Sequence, residues 1–209
     1  MNWRMPLPRP RASLIATAVT TLAVLLGLGA PTSFAQAPSA LPAVPEAIQV
    51  PTGNQLFLVR HAVGTQDYVC LPSGSDFKYV LVTPRATLYD DDEQKVATHY
   101  ISPNPLEGGT PRVTWENVAD AGTVWAQAMQ TSTDTDFVAP GAIGWVLLKV
   151  VGTQAASGNQ DGVAATTYVQ RLNTAGGMAP STGCGSSAEV GNLAFVPYLA
   201  DYYFYQSAA

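Results

Sequence analysis

The chain has 209 residues, 47% of them hydrophobic and only 12% charged, with a formal charge of −5. After residue 35, seven Lys and Arg face fifteen Asp and Glu, a net charge of −8. This balance argues against nucleic acid and anionic lipid as partners, since both are held by basic patches.

Arg4, Arg9 and Arg11 precede an apolar run over residues 12–30, and Ser33-Phe34-Ala35 offers small residues for cleavage. The pattern predicts a signal peptide over residues 1–35 and export of the remainder, to the periplasm or beyond it. No twin arginine precedes the run and no cysteine follows it, so ordinary Sec export without a lipid anchor is expected. Nothing later approaches the roughly 20 apolar residues of a spanning helix, so no membrane association is expected after cleavage. Cys70 and Cys184 are the two cysteines. In an exported chain they are expected to pair, although two separate buried thiols remain an alternative.

Residues 36–53 are rich in Pro and Ala and read as an extended lead-in rather than packed structure. A single domain over residues 54–209 follows. Residues 55–62 (QLFLVRHA) read as a short strand, broken at Gly64 and resumed over residues 67–71 (DYVCL). Residues 78–83 (KYVLVT) are a further strand. Residues 86–100 read as a hairpin whose tip is Asp90-Asp91-Asp92-Glu93. Short strands are expected around Trp115, over residues 123–130 and over residues 144–151 (GWVLLKVV). Residues 152–162 read as a surface loop. Two core strands close the chain, residues 163–174 (VAATTYVQRLNT) and 195–205 (FVPYLADYYFY), around a loop pinned by Cys184. About nine short strands and no long 3.6-residue periodicity predict an all-β, antiparallel sandwich or barrel.

Candidate chemistry is sparse. Leu58-Val59-Arg60-His61-Ala62 with Thr65 resembles the start of a histidine phosphatase motif, in which the imidazole accepts a phosphoryl group. That chemistry needs further cations and a second histidine, and the only other one, His99, lies in a predicted strand. The competing reading is an Arg-His pair ending a strand. The acidic tip lacks calcium-loop spacing, and no HxH, HExxH, GxSxG, P-loop or GxGxxG pattern occurs. No metal, cofactor or catalytic residue is therefore assigned. Trp115, Trp125, Trp145 and the tyrosines Tyr198, Tyr202, Tyr203 and Tyr205 read as core, or as a stacking platform for sugar rings. Alternation puts Tyr202 and Phe204 on one strand face and Tyr203 and Tyr205 on the other.

One block is specific. Gly64-Thr65-Gln66-Asp67-Tyr68-Val69-Cys70, His99-Tyr100, Pro111 and Trp115, Trp145 through Lys149, Gln170-Arg171-Leu172-Asn173-Thr174-Ala175-Gly176-Gly177-Met178-Ala179-Pro180, Cys184, and Val196-Pro197-Tyr198 with Ala200-Asp201-Tyr202 together resemble the DUF3455 family. These are exported bacterial and fungal proteins of unknown function. The resemblance implies a secreted single domain and carries over no catalytic residue. Arg60-His61 is not part of the pattern.

The reading that follows is a non-enzymatic exported protein binding an unidentified ligand, a carbohydrate or cell-wall polymer among the candidates. His99, Trp115, Arg171 and Asn173 are the residues expected to converge if a site exists. Arg171 and Asn173 are placed on one face by i, i+2 spacing. A buried network that fixes strand register would use the same residues. The alternative function is a hydrolase or phosphatase built on His61.

Overall fold

The computed structural model describes residues 41–155 and 163–208; the expected signal peptide lies outside them. Eight strands follow one another: β1 (Asn54–Ser73), β2 (Asp76–Tyr89), β3 (Lys95–Asn104), β4 (Thr110–Asn117), β5 (Thr123–Ser132), β6 (Trp145–Gln154), β7 (Thr166–Gly176) and β8 (Leu193–Ser207). Each pairs antiparallel with the next, and β8 returns to β1, closing an up-and-down barrel. Closure satisfies the edge hydrogen bonds that an open sheet of apolar strands would leave to solvent.

Eight strands stand where about nine are expected, and two apparent sequence breaks lie inside strands. Gly64 sits inside the 20-residue β1. A Cβ there would lie 2.1 Å from the Arg85 carbonyl oxygen, so glycine lets β1 and β2 approach closely where the wall curves. Pro84 likewise lies within β2, opposite Gln66 and beside the register shift at Asp67 and Tyr68. Proline is tolerated where a bulge already interrupts the ladder.

Alternation divides the apolar residues between two cores. Leu88, Trp115, Val124, Val169, Tyr202 and Phe204 fill the barrel interior. Small residues on β1 to β3, Ala62, Ala86 and Ala97, make room for the large rings on β4 and β8. The second core lies outside, where Trp145, Leu147, Leu172, Tyr203 and Tyr205 pack together. The face split expected for Tyr202 through Tyr205 is thus observed. All seven named Trp and Tyr residues are buried and form no exposed platform; all but Trp125 pack into one of the two cores.

The lead-in is what covers the outer core. Ile48 is fully buried there, with Val44 and Val50 packed beside it. Gln170 Nε2 donates to the Ile48 carbonyl at 2.6 Å, and the Tyr205 hydroxyl donates to Gln170 Oε1 at 2.7 Å. The expectation of an unpacked lead-in is corrected over residues 44–50. Its Pro and Ala content concealed three β-branched anchors. On the opposite side, Cys70 of β1 is disulfide-bonded to Cys184, across a separation of 114 residues. That bond pins the β7–β8 loop, which also exchanges backbone hydrogen bonds with Cys70 through Gly191 and Asn192.

Candidate functional site

Inside the barrel the wall carries a cluster of polar side chains. His99 on β3 pairs in register with Trp115 on β4, and their rings stack at 4.5 Å between centroids. Arg171 on β7 is opposite Tyr202 on β8 and Val146 on β6. Gln66 of β1, 1% exposed, completes the ring of polar groups. Together with Val146 these line a cavity of about 60 Å³, with Leu81, 45% exposed, at its outer edge. Three of the four residues expected to converge, His99, Trp115 and Arg171, therefore do.

Asn173 does not. The β7–β8 register shifts between Leu172 and Ala175, and Asn173 takes a left-handed φ of 51°. The bulge breaks the i, i+2 rule and turns Asn173 outward. It donates there to Asp201 Oδ2 at 2.8 Å and contacts the Tyr203 hydroxyl at 3.4 Å.

The cavity has an unusual electrostatic balance. His99 Nδ1 lies 2.8 Å from the Thr114 carbonyl, which can only accept, so Nδ1 carries the proton and Nε2 is a bare lone pair. Burial pushes the His99 pKa down to about 3, the Arg171 charge adds to the effect, and the Thr114 hydrogen bond opposes it. His99 is thus neutral at physiological pH. Arg171 donates from Nη2 to the Gly144 carbonyl at 2.8 Å and makes no ion pair among the described residues. Arg171 Nε, Gln66 Nε2 and Trp115 Nε1 are buried donors without a hydrogen-bond partner. A guanidinium without an ion-pair partner, its own Nε orphaned, and two further orphan donors in a barrel interior are costly, because buried charges and donors are ordinarily paired.

His61 faces the other way. Its Nδ1 lies 2.7 Å from Asp201 Oδ1 and its Nε2 3.0 Å from Asp91 Oδ1, at the acidic hairpin tip. Hydrogen bonds to Asp201 and then Asp91 raise its pKa, against a partial burial penalty. Carboxylates surround the ring, and both nitrogens are engaged. Two carboxylates favour the cationic form of this imidazole, whereas a phosphoryl-accepting one needs a free nitrogen beside other cations. Arg60 points instead into a separate small cavity with Leu58, Asn117 and Phe204.

Two features were not anticipated. Gln66 lines the cavity, although its position two residues after Gly64 on the inward face was a readable signal. Asp201 organises the outer cluster by contacting both His61 and Asn173, a role that depends on the bulge. Among the described residues no group of His, Cys, Asp and Glu has the geometry to hold a metal ion, and no helix is long and apolar enough to cross a membrane.

These features define a class: a closed, disulfide-pinned up-and-down β-barrel with a polar cavity in its interior. Residues 51–206 match the family described as "protein of unknown function (DUF3455)", and the chain belongs to that family. No curated protein and no solved structure matches it.

Proposed function

We propose that this chain is an exported, non-catalytic binding protein whose barrel interior receives a small ligand, or the end of a larger one. The supporting observation is the cavity bounded by His99, Trp115, Arg171 and Gln66, in which the Arg171 guanidinium has no ion-pair partner among the described residues and Arg171 Nε, Gln66 Nε2 and Trp115 Nε1 lack acceptors. Barrels of about eight strands are either filled by their own side chains or hold one small ligand. Export is supported by the leader-like residues 1–35 and by the disulfide. A polymer bound along an aromatic face draws less support, since the Trp and Tyr side chains named above are buried. A hydrolase built on His61 draws less support still, for the two carboxylates occupy both ring nitrogens.

Melting the mature protein against a panel of small metabolites and wall-polymer fragments tests this reading. A ligand at a hundredfold excess over its Kd stabilises by about 2.7 kcal/mol. That gain should vanish in Leu81→Trp, which obstructs the cavity edge from an exposed position. A panel without any stabilising member, or stabilisation indifferent to Leu81→Trp, would refute it.

A further inference from the structure

We propose that the cavity is a carboxylate site, with Arg171 as the counter-charge and a monoanion as its occupant; the inference rests on the binding reading above and names its ligand class. Arg171 brings a guanidinium to the cavity, and no acidic side chain lines it. The neighbouring His99 is neutral, so the cavity carries one positive charge. A single guanidinium matches a carboxylate, whose two oxygens accept from its fork. Phosphate and sulfate usually bring a second charge that nothing here would neutralise. Gln66 and Trp115, from other strands of the cavity lining, add donors without partners, and the Gln66 amide can present its NH₂ by rotating about its last torsion. The His99 Nε2 lone pair is the one strong acceptor whose orientation is fixed, and it suits a hydroxyl next to the carboxylate. A volume of about 60 Å³ accepts a carboxylate and its nearest atoms but no sugar ring. The rest of a larger ligand would therefore remain outside, past Leu81.

The carboxylate has two possible sources, a free small acid or the acidic end of a wall polymer. Calorimetric titration of the mature protein with acetate, glycolate and an N-acetylated dipeptide bearing a free C-terminus covers both. Acetamide, methyl glycolate, the dipeptide amide and inorganic phosphate are the controls. The expected result is binding of at least one acid and of none of its neutral counterparts. Glycolate should exceed acetate if Nε2 accepts its hydroxyl. Tighter binding of the dipeptide than of either small acid would assign the polymer source; the reverse would assign free acids. Arg171→Gln should weaken binding about tenfold or more, the loss expected for a charged hydrogen-bonded pair. Acids and neutral counterparts that bind equally, or phosphate that binds better than every acid, would overturn the carboxylate assignment while leaving the cavity a binding site. Acid binding unchanged in Arg171→Gln would overturn it as well. If nothing in this set binds but a neutral compound stabilises the protein in the melting panel, only the carboxylate assignment falls. If neither experiment detects a ligand, both readings fall.

Discussion

At the scale of single residues, the two histidines are set in opposite directions by the wall between them. His61 lies outside between two carboxylates, and His99 lies inside against Trp115 with Arg171 near. NMR titration should place the His61 midpoint above its ordinary 6.5. A raised folded-state pKa means that the stability His61 contributes is complete below about pH 6.5 and is lost as pH rises through the folded value. The contribution is small, because the ring is 44% exposed and Asp91 is 83% exposed. His99 has the opposite sign. Its pKa falls to about 3 in the folded state, so the unfolded chain binds the extra proton first. Stability is full above about pH 6.5 and declines toward pH 3 by roughly 1.4 kcal/mol per unit. Replacing His99 by Phe should flatten that acid limb, while His61→Ala should leave it in place. A His99 ring that titrates near 6.5 would contradict the burial described.

At the scale of elements, the strand ladder was readable, because Val, Thr and Tyr alternate between turn signals in most segments. What escaped was continuity and facing. Gly64 and Pro84 look like terminators, yet both sit inside strands, at a close approach and beside a bulge respectively. The cavity residues His99, Trp115 and Arg171 follow from alternation, whereas Asn173 departs from it through one positive φ. Sequence periodicity cannot register a bulge, since one extra residue reverses every following side chain. The lead-in escapes for a different reason: its anchors Val44, Ile48 and Val50 are separated by Pro45-Glu46-Ala47 and Gln49, with neither a strand nor a helix period. Its role yields a prediction. Ile48→Ala should cost about 2–5 kcal/mol, the usual range for a fully buried β-branched residue, measured by denaturant unfolding. The lead-in covers the outer core, so carboxylate affinity should be unaffected. A loss below about 0.5 kcal/mol would show that the segment is not a packed part of the barrel.

At the scale of the whole molecule, the β1–β8 seam closes the barrel and the Cys70–Cys184 bond pins the loop beside it. Reduction, or replacement of both cysteines by Ala, should destabilise by about 2–5 kcal/mol. The barrel should remain closed, since both cores are independent of the disulfide, and the native fluorescence of Trp115 and Trp145 should persist. Loss of native fluorescence on reduction alone would mean that the seam depends on the bond. The closed wall buries Trp115, Tyr198 and Tyr202 inside and Trp145, Tyr203 and Tyr205 in the outer core, and its interior holds a guanidinium without an ion-pair partner among the described residues.

The most direct measurement is an NMR titration of residues 36–209 with glycolate, following indole and imidazole signals. Saturable shifts confined to Trp115 and His99, with Trp145 and His61 unmoved, are the predicted result. Shifts centred on His61, or none anywhere up to saturating glycolate, would contradict the assignment of the barrel cavity as a carboxylate site.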